Sequence, residues 1–385
     1  MTQYIMHSDY RSLFGLDVHA RTVSVSGIDL VTSEMKKKRF NDCPGVAEIE
    51  DWMRANFEGP YYAAYESGCT GFHLARELRL LGIDCDVIAV SSIARSTDER
   101  QRKSDNTDAR RLLMELITPG SSIKRVWMPD EEIEAMRDLT RAHADGTDTT
   151  KRLKQQRSAL LLRQGYVWNE RTASGKLRST NTREFESWLN QVKFASVGSA
   201  EAFSYYRSAI KESEDRVRYL EGLIEAHAAE ERFKPYVDAL CCLKSVSYIS
   251  AFLYTVEIGD FSRFKNPPSL ACYLGVTPTS GASGEDRADN GHITKAGPSH
   301  ARDALIEGLQ NVGGRNALPK RLKAGQVVSD EVRTHCECAN RRMSARYEHL
   351  RKQKKLPNVI KIALANELCR WIWSVGMMVK KELDS

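Results

Sequence analysis

Phe14-Gly15-Leu16-Asp17-Val18-His19, followed after Ala20-Arg21 by Thr22-Val23-Ser24-Val25-Ser26-Gly27-Ile28-Asp29-Leu30, is the stretch that decides the fold. Both runs alternate apolar with small or polar residues, the period of a strand that turns one face inward. The short His19-Ala20-Arg21 connection between them predicts a β-hairpin. Residues 34–40 offer a third strand. Residues 44–57 then change period, with Val46, Ile49, Trp52 and Met53 on one helix face. Residues 61–65 read as a strand, and residues 71–81 as a helix with Phe72, Leu74, Leu78 and Leu81 inward. Residues 85–90 read as a buried strand and residues 105–117 as a helix.

Three strands, a helix, a strand, a helix, a strand and a helix is the element order of an RNase H/RuvC-like fold, a mixed sheet with helices on its faces. Four acids fall at telling places in that order. Asp17 lies among apolar neighbours in the first strand, where a charge is costly unless it is paired or metal-bound. Glu66 ends the fourth strand, just before Ser67-Gly68, and Asp105 and Asp108 sit three apart at the start of a helix, on a shared face. Each has an ordinary explanation alone: a turn residue, a solvated strand end, a helix N-cap. Together they have the composition that two-metal phosphoryl transfer needs, because Mg²⁺ prefers carboxylate oxygens and stabilises the attacking and leaving oxygens of a phosphate. The expectation is a Mg²⁺ site made by Asp17, Glu66, Asp105 and Asp108, acting on nucleic acid.

Beyond residue 130 the chain becomes mainly helical. Phe203, Tyr206, Ile210, Ser213, Val217, Leu220 and Ile224 follow a heptad seam, interrupted at Ser213, that must pack against another helix of the chain or a second subunit. Residues 151–163 form a basic helix, and residues 164–182 a loop. A third region carries a short helix pair (250–256 and 269–274), a Gly/Ser-rich loop (281–297) and a helix from about His300. After the basic stretch 318–355, Pro357 opens an amphipathic C-terminal helix. The expected domains are therefore 1–130, a RuvC-like acidic domain; 131–235, a helical or coiled-coil dimerisation region; and 236–385, a mostly helical C-terminal domain.

Composition is that of a globular protein, 41% hydrophobic and 28% charged. No apolar run reaches the roughly 18 residues needed to span a bilayer, and the N-terminus has no apolar signal core, so a cytoplasmic protein is expected. The nine cysteines are scattered without framework spacing, which fits a reducing compartment; His335, Cys336 and Cys338 lack a second Cys/His pair at finger spacing and read as a chance cluster. The net charge of +6 is unevenly spread: residues 1–90 hold 9 basic and 13 acidic residues, residues 318–355 hold 11 basic and 4 acidic ones. An acidic head and a basic tail suggest a metal-binding module joined to a polyanion-binding one.

Gly15-Leu16-Asp17-Val18, Tyr65-Glu66-Ser67-Gly68 and Lys103-Ser104-Asp105-Asn106-Thr107-Asp108-Ala109 resemble the DEDD motifs of the insertion-sequence-110 transposases, or bridge recombinases. Residues 258–264 (Ile-Gly-Asp-Phe-Ser-Arg-Phe), 273–278 (Tyr-Leu-Gly-Val-Thr-Pro), Ser283-Gly284-Glu285 and 293–297 (Ile-Thr-Lys-Ala-Gly) resemble the signature of that family's C-terminal transposase domain. Where the family usually has a Pro-Gly-Val-Gly hairpin, this chain reads Lys244-Ser245-Val246-Ser247, and Ala301-Arg302 replaces the more usual Leu-Arg.

The resemblance implies an RNA-guided DNA recombinase that mobilises its own insertion sequence. In it Ser283 would attack a DNA phosphate and form a phosphoserine intermediate, with Arg263, Lys295 and Arg302 as candidate phosphate contacts. The implied partners are donor and target DNA, a non-coding bridge RNA that supplies sequence choice by base pairing, and further copies of the chain, as a dimer assembling into a tetramer. The alternative from the acids alone is a RuvC-like Holliday-junction resolvase or nuclease that uses water as nucleophile. A nucleic-acid-binding protein with a degenerate RNase H fold is the non-enzymatic reading, and four intact acids weigh against it.

Overall fold

The computed structural model describes residues 9–90, 105–118, 123–279, 292–312 and 325–385. It divides into two compact units, Met1–Pro129 and Asp130–Ser385.

The first unit is built on a five-stranded sheet. β1 (Ser12–Val18) and β2 (Val23–Asp29) form the hairpin, and β3 (Met35–Phe40) extends it antiparallel on β2. β4 (Tyr61–Glu66) lies parallel to β1 on the other side and β5 (Asp84–Ile88) parallel to β4, giving the order β3-β2-β1-β4-β5. The strand period sorts the core. Phe14, Leu16, Ala63, Tyr65, Cys85 and Val87 pack with Ile49 and Met53 of α1 (Val46–Asn56) and Leu74, Ala75 and Leu78 of α2 (His73–Leu80). The residues between them, Leu13, Tyr62, Ala64 and Ile88, pack on the opposite face with Leu112, Leu113 and Leu116 of α3 (Asp105–Ile117). Asp17 and Glu66 share the parity of that second set, so both belong to the α3 face.

Gly15 is what lets α3 come close to that face. A methyl group on it would stand 2.3 Å from the Ala109 carbonyl oxygen and 2.6 Å from the Leu113 backbone nitrogen. Backbone atoms of a helix cannot swing aside, so any side chain at Gly15 must push α3, and with it Asp108, away from the strand. Gly15→Ala is expected to lose about 3 kcal/mol, the upper end for overpacking a core. Its thermal unfolding should show that loss as a lower midpoint for the first unit.

The second unit is helical. α4 (Glu131–Arg163) opens at Asp130, whose carboxylate accepts the Ile133 backbone N–H, and runs unbroken through the basic stretch at 151–163. α5 (Arg183–Gln191) and α6 (Val197–Ala228) follow. The heptad seam of α6 finds its partner within the chain: α6 packs along α4. The interruption at Ser213 has a local cause, because its hydroxyl lies 2.7 Å from the Thr150 hydroxyl in a buried pair. A polar residue in an apolar seam is tolerated when its partner is supplied across the interface.

α7 (Lys234–Leu240) and α8 (Tyr248–Ile258) flank the segment containing Lys244-Ser245-Val246-Ser247. Ser247 caps α8 in a reciprocal bond pair with Ser250. The sequence reading missed α7, whose 7 residues are too few to display a helical period. α9 (Pro267–Tyr273), α10 (Ser299–Gly308), α11 (Asp330–Lys352) and α12 (Pro357–Leu383) complete the unit. Part of the basic stretch is internally neutralised, since Arg342 donates to the nearly buried Glu367 of α12 at 2.6 Å and Arg346 binds the same carboxylate. Among the described residues no helix is long and apolar enough to cross a membrane.

Candidate carboxylate site and serine-loop stem

Sheet register brings the first two acids together. Leu16 lies opposite Tyr65 on the parallel pair β1–β4, and the next residue on each strand is Asp17 and Glu66. The third comes from the helix pressed on that face. Arg111 of α3 donates from one Nη to Glu66 Oε1 at 2.8 Å, and its other Nη lies 2.9 Å from Asp108 Oδ1. Asp17 is mostly buried, and its Oδ2 is 3.2 Å from His19 Nε2. The structure thus places Asp17, Glu66 and Asp108 on one face at the carboxyl ends of two parallel strands. Asp105 is the first residue of α3, three before Asp108, and its side chain lies outside the described set.

Hard carboxylate oxygens carried by three elements on the same side of the sheet fit a divalent cation in kind. The like charges already attract a cation, since Glu66 and Asp108 share the Arg111 guanidinium. In this arrangement, among the described residues, no three Asp, Glu, His or Cys side chains stand close enough to hold an ion together. The sequence reading passed over Arg111 and His19. Both had a spacing signal: Arg111 is three residues beyond Asp108 on the same helix face, and His19 is two beyond Asp17 on the same side of the strand.

In the second unit, Ser283 falls outside the described residues, but the backbone that carries its loop is defined. Thr279 donates its N–H to the His292 carbonyl at 2.8 Å, and Thr294 donates to the Thr277 carbonyl at 3.0 Å, so residues 277–279 and 292–294 form a two-stranded stem. Two motif glycines clamp its base. Gly275, at φ +69°, faces the Ala296 carbonyl oxygen, and Gly297, at φ +65°, faces the Tyr273 carbonyl oxygen; an added methyl would come within 2.3 Å and 1.9 Å of those oxygens. Positive φ and backbone contact both require glycine here.

The three basic residues expected to touch phosphate are placed differently from one another. Lys295 is exposed, in a left-handed backbone conformation (φ 52°) beside the stem. Arg302 is buried instead, and its Nη1 donates to the Ala296 carbonyl at 2.9 Å. Arg263 is drawn inward as well: it lies over the rings of Phe264 and Tyr273, and its Nε donates to the Ile258 carbonyl at 2.9 Å. The last carbonyls of a helix need donors, and α8 obtains them from arginines. Arg137 of α4 donates to Val256 O and Glu257 O at 2.9 and 2.8 Å, beside Arg263. Arg263 and Arg302 therefore hold the motifs in place and do not present free guanidinium groups to solvent.

Glu257, 2% exposed, sits at the centre of this cluster. His300 Nε2 lies 2.8 Å and Arg141 Nη2 3.2 Å from its Oε1, with Arg137 Nε 3.9 Å from Oε2. Burial by itself would raise the Glu257 carboxyl, but the His300 hydrogen bond and the charges of Arg137 and Arg141 outweigh it and hold the group below its ordinary range. No sequence signal marked Glu257, an acid inside the apolar run of α8.

Comparisons with known proteins agree with both halves. Residues 14–165 match a family model described as a transposase of the DEDD, insertion-sequence-110 type, and residues 237–322 match one described as the transposase IS116/IS110/IS902 family. The chain is 32% identical over 375 residues to the putative transposase y4qE of Sinorhizobium fredii, covering 96% of this chain and 90% of that protein. It is 27% identical over 256 residues to the transposase for insertion sequence element IS1533 of Leptospira borgpetersenii, covering 66% and 71%. A probable family 20 transposase of Pseudomonas aeruginosa is 23% identical over 366 residues, covering 94% and 96%. A sheet that aligns Asp17 with Glu66, a helix that adds Asp108, and a glycine-clamped stem below Ser283 thus stand in a chain that belongs to the IS116/IS110/IS902 family of transposases.

Proposed function

We propose that this transposase cuts and rejoins DNA at a divalent-metal site formed by Asp17, Glu66, Asp105 and Asp108. The strand register that sets Asp17 next to Glu66 on the α3 side of the sheet, together with the Arg111 bridge between Glu66 and Asp108, carries that reading. The strand order, antiparallel on one side of β1 and parallel on the other, supports an RNase H/RuvC-like domain. Mg²⁺ is the ion we assign, and when bound it would stabilise charge on the phosphate oxygens during strand cleavage. The chain's own residues supply its ligands, and α3, seated by Gly15, fixes the helix pair of acids against the strand pair.

Ser283 is the proposed nucleophile. Its Oγ forms a bond to a DNA phosphorus, the bond from that phosphorus to a sugar oxygen breaks, and the serine proton passes to solvent or a nearby base. The glycine-clamped stem supports this role, because it holds the ends of the Ser283 loop in fixed register. Exposed Lys295 at the stem base is the proposed phosphate contact, with Arg263 and Arg302 acting as positioning residues. By the family resemblance the enzyme pairs with a structured bridge RNA, and the carboxylates of one subunit meet Ser283 of another in a tetramer. The α6 seam is occupied by α4 of the same chain, so we assign that assembly to surfaces other than this seam. Division of the chain into acidic, arm and serine domains, with boundaries near 130 and 235, follows the same reading.

Ser283→Ala tests the covalent step. With DNA carrying its recombination sites, the wild type should give protein–DNA adducts that survive denaturation, and the variant none, with recombination lost by at least about 10³-fold. Full recombination by Ser283→Ala would remove the serine and leave a nuclease that uses water.

A further inference from the structure

Arg111 plays no part in the chemistry proposed above, yet it sits at the centre of the carboxylate site. Its side chain is 15% exposed, with one Nη on Glu66 and the other on Asp108. Two carboxylates drawn together from a strand and a helix repel each other, and a guanidinium can bind both at once, one through each Nη, with charge-assisted hydrogen bonds. Its Nε is buried and has no hydrogen-bond partner among the described residues, so the two acids are what hold the fork in place. Among the described residues both carboxylates bound by this guanidinium are groups that an incoming ion would claim, so the ion competes directly with it.

We propose that Arg111 is the resident counter-cation of the carboxylate site. In the metal-free protein it holds Glu66 and Asp108 together; on metal binding it yields their oxygens to the ion. Arg111 then sets the metal affinity of the site, and so the ion concentration at which it becomes competent. The inference rests on the reading of these acids as metal ligands. A monovalent cation opposes a divalent one both by competing for its ligands and by direct repulsion. At a separation of about 5 Å in a water-like medium, the repulsion alone corresponds to about tenfold in affinity.

Calorimetric titration of the full chain with Mn²⁺ tests this in four forms: wild type, Arg111→Gln, Arg111→Lys and Glu66→Gln. Arg111→Gln is expected to bind Mn²⁺ about tenfold more tightly than wild type, while its unfolding midpoint in EDTA falls because the acids lose their shared cation. Arg111→Lys, which keeps the charge, should stay near wild type. An arginine that served only as packing would disorganise the site when removed, so Mn²⁺ affinity unchanged or weaker in Arg111→Gln overturns the proposal. Glu66→Gln should weaken binding; if it does not, the metal-site reading itself fails, an outcome distinct from failure of the Arg111 role alone. Should Arg111→Gln not fold, the wild type decides the matter through the Nε–H nuclear magnetic resonance signal of Arg111, assigned by its loss in Arg111→Lys. That signal should shift on saturation with Mg²⁺, and a signal that stays in place contradicts release.

Discussion

Asp17→Asn and Glu66→Gln should each lower DNA strand cleavage at least about 10³-fold while leaving the protein folded. Asp17 and Glu66 stand side by side at the ends of β1 and β4, and each amide replacement keeps the shape of the side chain while removing its charge. Loss of one anionic ligand weakens the hold on a divalent ion and its stabilisation of phosphate charge, which is worth several kcal/mol. At about 1.4 kcal/mol per tenfold in rate, about 4 kcal/mol is about 10³-fold. Asp17→Asn should change stability little, because it relieves repulsion from the neighbouring acids, whereas Glu66→Gln should lower the midpoint modestly by weakening the ion pair with Arg111. A cleavage assay alongside a thermal melt checks both parts. Either variant cleaving within tenfold of wild type would remove that acid from the site.

Glu257→Gln should produce the largest loss of stability, about 3–5 kcal/mol, the range for breaking a buried ion pair by neutralising one partner. Arg137, itself 7% exposed on its side chain, and His300 face the Glu257 carboxylate, and Arg141 reaches it from a half-exposed position. Removing that negative charge takes away the one carboxylate that His300, Arg137 and Arg141 share among the described residues, just where α4, α8 and α10 meet. The same group gives a pH signature. Its folded carboxyl lies lower than an ordinary one. Its stabilisation is therefore complete above the unfolded value of about 4.3 and is lost as pH falls through the lower folded value. Wild type should lose stability across that acid window, and Glu257→Gln should lack this part of the acid dependence. Equal melting midpoints for the two proteins at pH 7 would show that the cluster does not hold the fold. The serine-loop stem shares this foundation: Arg263 donates to Ile258 O, while Tyr273 OH reaches Glu257 O at 3.4 Å.

The first unit was almost wholly legible in the sequence because its elements are short and periodic. Alternation in residues 14–30 named the hairpin, and the same parity that buries Leu16 and Tyr65 on one face sends Asp17 and Glu66 to the other. The expected strand at 85–90 instead runs Asp84–Ile88, and the helix at 105–117 matches α3. The pairing of Glu66 with Asp108 through Arg111 was not legible, because side chains 45 residues apart meet only after the sheet and helix have packed. The motif resemblance likewise named Arg263 and Arg302 as phosphate contacts, with no sign that their guanidinium groups donate to backbone carbonyls. A buried arginine that feeds helix-end carbonyls looks the same in sequence as an exposed one. The α6 seam announced a partner without identifying it, and the hydroxyl pair of Thr150 and Ser213 is what registers α4 as that partner.

Iron-directed cleavage of the protein tests the central claim most directly. Fe²⁺ substituted for Mg²⁺ and treated with ascorbate and peroxide cuts the polypeptide where the ion is bound. The carboxylate site predicts backbone cuts beside Asp17, Glu66 and Asp108, three places far apart in sequence, suppressed by excess Mg²⁺ and lost in Glu66→Gln. Cuts elsewhere, or the same cuts persisting in Glu66→Gln, would contradict it.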